Sequence, residues 1–392
     1  MTDKINILFF PPVRYEFVYQ RPQALADKLS ERPGCSVYFF DQPSSRYSLN
    51  NGSLGFSFLH AVTELNPNLR IVKTPRCFTF MGLRFKLAKK RMISYSRKWV
   101  KRFIQSLFAG QRTVAYFQTP LWKPYVEGLS FSAVLYDCID DPDVIGPKED
   151  RQWYDRTLSG LLNESLKVFA TAKQLESSLS KRVTREKILR LPNGVLLERF
   201  DDPEIPAEIM QARRKYKGVV GYVGVLFHWI DMALLEVVAE ATPDLFFMFV
   251  GPYRDELVGG LKRLSNVALA GPVEHKAIPG YIAGFDVCLN PFKINKISLS
   301  TNPIKLYEYL ALGKPVVSTP IKELGEFDGL IYSEKDAAGF IARIRSLVGK
   351  SESKETIEKR KLFAAGNSWD QRAATILQVL RSAFPDLGQG NQ

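Results

Sequence analysis

The chain has 392 residues, 45% of them hydrophobic and 24% charged, and a formal net charge of +13. That length and apolar content fit two globular domains, each with its own core. No apolar run reaches about 18 residues, which excludes a membrane-spanning helix, and MTDKINILFF enters a strand with no basic leader, so no signal peptide is expected.

The charge is unevenly placed. Residues 1–200 hold 31 Lys+Arg and 18 Asp+Glu, whereas residues 201–392 hold 23 of each, so all the excess is in the first half. No acidic residue lies between Glu64 and Glu127. The four cysteines (Cys35, Cys77, Cys138, Cys288) are scattered, and the three histidines (His60, His228, His275) are not spaced as a metal pair. Buried free thiols in a cytoplasmic protein and no metal site are expected.

In chain order, the first half alternates apolar strand-like runs at 5–10, 36–40, 69–73, 113–117, 133–136, 167–170 and 187–191 with helical patterns at 22–30, 99–108 and 173–182. Such alternation predicts α/β layers with largely parallel sheets. After the first run, Arg21, Pro22 and Gln23 open a helix, where they either cap it or face a ligand.

Residues 84–108 form one or two strongly basic amphipathic helices. Phe85, Ala88, Met92, Tyr95, Trp99, Phe103 and Leu107 recur at three- and four-residue spacing among Lys89, Lys90, Arg97, Lys98 and other cations. Such a helix either presents a solvated face, its apolar side packed on the sheet, or docks on an anionic membrane surface through Lys89, Lys90, Arg97, Lys98 and Trp99. Nucleic acid is the other polyanion, but no binding module for it is evident.

LYDCIDDPD places Asp137, Asp140, Asp141 and Asp143 after a buried strand. Clustered carboxylates repel, so one of them can titrate high and serve as a base; a helix cap or a turn is the plainer alternative. The polar, proline-containing stretch 197–217 predicts an interdomain hinge. The second half then restarts the alternation, with strands at 219–223, 245–250, 266–270 and 287–290 and helices at 232–240 and 278–283. A strand at 330–332, helices to about 363 and an amphipathic terminal helix complete it.

SLSTNPIKLYEYLALGKPVVST, residues 298–319, reads as loop, helix, turn and buried strand. Thr301 or Asn302 can cap the helix, Pro303 suits its first turn and Gly313 ends it. Lys305 near the N-terminus makes an anion site, and Glu308, one turn on, can accept from a pair of sugar hydroxyls. The alternative is a solvated i,i+3 pair. In GYVGVLFHWID, Gly224 would let the backbone approach a phosphate, and His228 either packs or reaches a donor phosphate or sugar.

The string Pro-x-Lys-x-x-Glu-Tyr-x-Ala-x-Gly-x-Pro-Val-Val resembles the donor-binding segment of GT-B glycosyltransferases of the family 4-like group, which includes bacterial polysaccharide glycosyltransferases. LPNGVLLERF (residues 191–200) resembles that group's hinge motif, and the Arg-Pro-Gln string its first loop. The resemblance implies a GT-B fold: two Rossmann-like domains facing a central cleft. Residues 1–200 with 369–392 would bind acceptor, and 201–368 would bind a nucleotide-diphosphate sugar, with no obligatory metal or other cofactor. It implies that Glu308 contacts the nucleotide ribose, that Gly224, His228, Asn302, Pro303 and Lys305 line the donor site, and that Arg21 and Gln23 face acceptor or leaving group. Asp140 or Asp141 is the candidate base of an inverting reaction.

Two departures stand out. Ser300 occupies the place of a second glutamate in the group's E-x7-E pattern, and the Arg and Lys that often follow the glycine loop are missing. The expected function is glycosyl transfer to a lipid-linked glycan in bacterial surface or exported polysaccharide assembly, at the inner face of the cytoplasmic membrane. The rivals are a nucleotide-sugar 2-epimerase of the same fold and a catalytically degenerate scaffold.

Overall fold

The computed structural model describes residues 4–41, 61–74, 86–145, 150–295 and 298–387, the side chains of 86–93, 145 and 322–323 excepted. The chain forms two compact units, Met1–Leu191 with Ala373–Gln392, and Pro192–Arg372. The boundary thus precedes the expected residue 200. The hinge motif belongs to the second unit because Asn193 N–H donates to Asn302 Oδ1 at 2.9 Å and its side-chain amide donates to the Asn302 carbonyl at 2.6 Å.

In the first unit the strands are β1 (Ile5–Phe10), β2 (Cys35–Asp41), β3 (Ala61–Asn66), β4 (Leu69–Lys73), β5 (Thr113–Phe117), β6 (Ala133–Cys138), β7 (Lys167–Ala170) and β8 (Ile188–Arg190). They form one sheet in the order β3-β4-β2-β1-β5-β6-β7-β8, parallel except for β3, which runs antiparallel to β4. β1 is apolar almost throughout, as a strand covered on both faces must be, and every residue of it is buried. Its alternation sorts aromatics onto two faces. Phe9 stacks on Tyr116 with ring centroids 4.4 Å apart, and Phe10 stacks on Phe117 at 4.8 Å and tilts against Phe40 at 5.0 Å. β3 is exposed along its whole length, so it has no apolar period for a sequence reading to find.

The basic stretch forms a single helix, Lys86–Phe108. Its buried line is Ser96, Val100, Ile104 and Phe108, one position on from the expected Tyr95-Trp99-Phe103-Leu107 stripe. Both lines satisfy i,i+4 spacing. The sheet selects the former, with the Phe108 ring edge-on to Tyr38 at 4.7 Å. Tyr95 stays 49% exposed and Leu107 45%.

The second unit has β9 (Val219–Val223), β10 (Phe246–Val250), β11 (Val267–Gly271), β12 (Val287–Asn290), β13 (Val316–Ser318) and β14 (Tyr332–Ser333). They form an all-parallel sheet in the order β11-β10-β9-β12-β13-β14. Strand order reverses between β1 and β5 in the first unit and between β9 and β12 in the second. Ligands of open α/β sheets bind outside the strand C-termini at such reversals. The terminal helix, Trp369–Ala383, starts in the second unit and ends in the first. There Arg112 pairs with Asp386 at 2.8 Å and lies 5.0 Å from the Phe384 ring centroid.

Candidate active site

In the second unit the strand reversal gathers residues from three segments. β9 is buried to Val223 and opens into Gly224 at φ +137°. A Cβ there would lie 2.9 Å from Tyr222 Oη and 3.0 Å from Lys305 Cε, so only glycine leaves room for the lysine. Gly251, at the end of β10 with φ +136°, presses in beside it; a Cβ at Gly251 would stand 2.3 Å from the Gly224 carbonyl oxygen.

The helix Ile304–Ala311 follows β12. Leu306, Tyr307, Tyr309 and Leu310 are buried, and the Tyr309 hydroxyl accepts from Val223 N–H at 2.9 Å, which ties the helix to the end of β9. Gly313 ends it at φ +67°, and buried Arg360 donates to the Gly313 carbonyl at 3.2 Å. No side chain caps its N-terminus; Pro303 holds the N-cap position in extended conformation. Neither candidate cap therefore serves. Asn302 instead takes two bonds with Asn193, donates to Glu326 at 2.6 Å and accepts from Tyr307 Oη at 3.2 Å. The uncapped first turn suits an anion.

Lys305 Nζ lies 5.0 Å from the Tyr222 ring centroid and 4.8 Å from that of Phe292. Desolvation pulls its ammonium down to about 8, against the pull of Glu308. Glu308 moves the other way. Burial raises its carboxyl to about 7, while Lys305 and then Arg199 act against the rise. His275 Nε2 stands 3.9 Å from Glu308 Oε1, and its Nδ1 accepts from Arg199 Nη1. Burial and the Arg199 charge push the imidazole down to about 4, so it is neutral at physiological pH.

Lys305, Glu308 and Gly224 thus converge, as their spacing suggested. His228 is exposed on the loop after β9, its ring 4.4 Å from Phe227 and 5.0 Å from Trp229. Ser300 is buried in a short turn, Ser298–Ser300. Sequence reasoning missed Arg199 and His275, which are 76 positions apart. Their only sequence signal was position, one inside the hinge motif and the other in the loop after β11. Phe292, just after β12, faces the lysine across the strand reversal, a contact that no local pattern signals.

The first unit sets out the remaining candidates. Arg21 is 3% exposed and grips Asp137 through Nε at 2.8 Å and Nη2 at 2.7 Å; Gln118 also donates to Asp137 at 2.9 Å. Gln23 is fully buried and donates to the carbonyls of Arg14, Tyr15 and Val18. Both therefore fix the first loop and helix in place of the acceptor contact expected of them. Among the aspartates, Asp141 accepts from Asp143 N–H at 2.9 Å as a turn cap, and Asp143 pairs with Arg151 and Arg182. Asp140 has no side-chain hydrogen bond or ion pair among the described residues. Desolvation and then the Asp141 charge raise its carboxyl. Asp140 is nonetheless exposed, so solvent weakens both causes. On the basic helix, Arg97 lies 5.6 Å from the Tyr125 ring centroid, Trp99 is half-buried against Phe103, and Lys98 is exposed. The side chains of Lys89 and Lys90 lie outside the described residues. No group of three or more His, Cys, Asp or Glu side chains suited to a metal occurs among the described residues.

Residues 217–350 match the family described as "Glycosyl transferases group 1". The Bacillus subtilis protein named "Putative teichuronic acid biosynthesis glycosyltransferase TuaH" is 26% identical over 279 residues, 67% of this chain and 70% of its own. Residues 217–350 thus carry a glycosyltransferase domain, and the chain has the GT-B fold. Among solved structures, two share the fold at low identity. Sucrose-phosphate synthase from Thermosynechococcus elongatus superposes with a TM-score of 0.69 at 14% identity, covering 97% of this chain and 99% of that one. Anabaena HepE, in complex with UDP and glucose, gives 0.64 at 16% identity with the same coverage. The family match falls on the unit that holds the Gly224, Lys305 and Glu308 constellation.

Proposed function

We propose that this enzyme moves a glycosyl group from a nucleoside-diphosphate sugar to a lipid-linked glycan during polysaccharide assembly. The observation that carries the reading is the meeting of Gly224, Lys305 and Glu308 outside the end of β9. A glycine leaves backbone room for a diphosphate, an uncapped helix start and a lysine supply positive charge, and a carboxylate one turn on accepts from a ribose diol. The name of the Bacillus relative supports a polysaccharide product, and the HepE complex supports a uridine nucleotide as one donor type.

In this reading the acceptor oxygen attacks the anomeric carbon as the bond to the diphosphate oxygen breaks. The nucleoside diphosphate leaves with the bonding pair, and Lys305 with the helix start stabilises the charge that develops. Asp140, whose carboxylate has no partner among the described residues, takes the acceptor hydroxyl's proton, which gives inversion. Incubation with labelled nucleotide sugars and a bacterial lipid-glycan extract should label the lipid fraction. Asp140→Asn should cut turnover about 100-fold or more at unchanged donor affinity; full activity would remove Asp140 as the base. Free isomerised nucleotide sugar without acceptor would instead support the 2-epimerase.

The basic helix supplies the membrane contact. No helix among the described residues is long and apolar enough to cross a membrane. Tyr95 is exposed one and two turns before the exposed cations Lys98 and Arg102, and that spacing puts an aromatic ring and two charges on one face suited to anionic headgroups. Charge reversal at Lys98 and Arg102 should abolish flotation with phosphatidylglycerol vesicles; unchanged flotation would return the helix to a solvated face.

A further inference from the structure

The Arg199, His275 and Glu308 chain has a chemistry of its own. An arginine has no acceptor. The bond from Arg199 Nη1 to His275 Nδ1 therefore makes Nδ1 the unprotonated nitrogen and leaves the ring proton on Nε2. That Nε2–H faces Glu308 Oε1 at 3.9 Å. The gap is too long for a direct hydrogen bond and too short for an atom between them. A hydroxyl at the apex of a triangle, about 2.8 Å from each, satisfies both groups: its oxygen accepts from Nε2–H and its hydrogen is donated to the carboxylate. Both side chains are largely but not fully enclosed, His275 24% and Glu308 12% exposed.

We infer that His275, held in one tautomer by Arg199, acts with Glu308 as a paired donor and acceptor reading a single ribose hydroxyl of the nucleotide. The inference rests on the donor reading of this unit and adds a specificity-determining residue to it. A carboxylate alone accepts from either hydroxyl of a diol and discriminates weakly between them. A fixed donor beside a fixed acceptor selects one hydroxyl, and a ligand without it forfeits both of those hydrogen bonds. His275 comes from the loop after β11 and Arg199 from the hinge motif. The motif therefore has a second task besides turning the chain: it sets which imidazole nitrogen carries the proton.

The test is a cycle between residue and ligand hydroxyl. Among UDP, GDP and ADP, the tightest binder is compared with its 2′-deoxy and 3′-deoxy counterparts by calorimetry, on wild type, His275→Ala and His275→Gln. Wild type should prefer the ribonucleotide to one of the two deoxy forms by at least about tenfold. His275→Ala should shrink that preference to about threefold or less while leaving affinity for that deoxy form nearly unchanged. His275→Gln, whose amide N–H reaches toward the Nε2 position, should restore part of the preference. Nitrogen-15 imidazole spectra should show His275 as the Nε2–H tautomer, and Arg199→Gln should mix the tautomers. If His275→Ala keeps the full preference, or weakens all the ligands equally, the inference fails while the donor reading stands. If no ribonucleoside diphosphate binds wild type, both fail.

Discussion

Arg21→Met is expected to destabilise the first unit by about 3–5 kcal/mol, because it strips the buried Asp137 carboxylate of its charge partner and leaves it the neutral Gln118 amide. Asp137 has no exposed surface, and both its oxygens are taken by the guanidinium, Nε to Oδ2 at 2.8 Å and Nη2 to Oδ1 at 2.7 Å. Desolvation works against the arginine charge, and Asp137 more than offsets it, so the guanidinium is held more firmly protonated than usual. The pair joins the start of the helix Arg21–Ser30 to the end of β6, thereby fixing the loop after β1. About 1 kcal/mol moves the melting point of a unit this size by roughly 2–4 °C, so the effect is easily read. Denaturant titration of Arg21→Met and of the double variant Arg21→Met/Asp137→Leu separates charge from packing. The double variant should recover most of the loss, since an apolar pair strands no charge. A single-variant cost below about 1 kcal/mol would show that Asp137 is not buried as described.

Lys305→Ala is expected to weaken nucleoside-diphosphate binding by about 10- to 150-fold, the range for losing a hydrogen bond to a charged group. Its pH signature is more specific than its size. Lys305 binds a diphosphate only when protonated, and it sits at about 8 in the free protein, so affinity falls as pH rises through that value. Glu308 accepts from hydroxyls more strongly when ionised, and it sits at about 7, so affinity falls as pH drops through that value. The two groups interact, so the limbs belong to the pair, and affinity should peak between them. In Lys305→Ala the alkaline limb should vanish. The acid limb should move to higher pH, because the lysine no longer opposes the rise of Glu308. An unchanged alkaline limb in calorimetric titrations would take Lys305 out of the site.

Local signals carried much of this structure into the sequence. The continuous apolar runs at β1, β9 and β12 marked central strands because both faces are covered, and Lys305, Glu308 and Gly313 stood out because one short helix carries them all. What stayed hidden depends on contacts distant in sequence. β3 has no buried face and so no period. The basic helix offered two apolar lines one residue apart, and only the aromatic surface of the sheet chose between them. Asn302 looked like a helix cap until Asn193, 109 positions earlier, claimed it. Arg21 and Asp137 are 116 positions apart, and each looked like a ligand-facing charge until the fold paired them. The same pairing logic narrows four clustered aspartates to Asp140, since neighbours engage the other three.

The claim on which the rest depends is that the second unit holds a nucleoside-diphosphate donor at Lys305 and Glu308. Calorimetric titration of the full chain with UDP, GDP, ADP and dTDP tests it most directly. Saturable binding of at least one diphosphate at micromolar to submillimolar concentration, weakened by Lys305→Ala, is the result predicted. No binding of any of them at millimolar concentration, or binding that Lys305→Ala leaves intact, would contradict it.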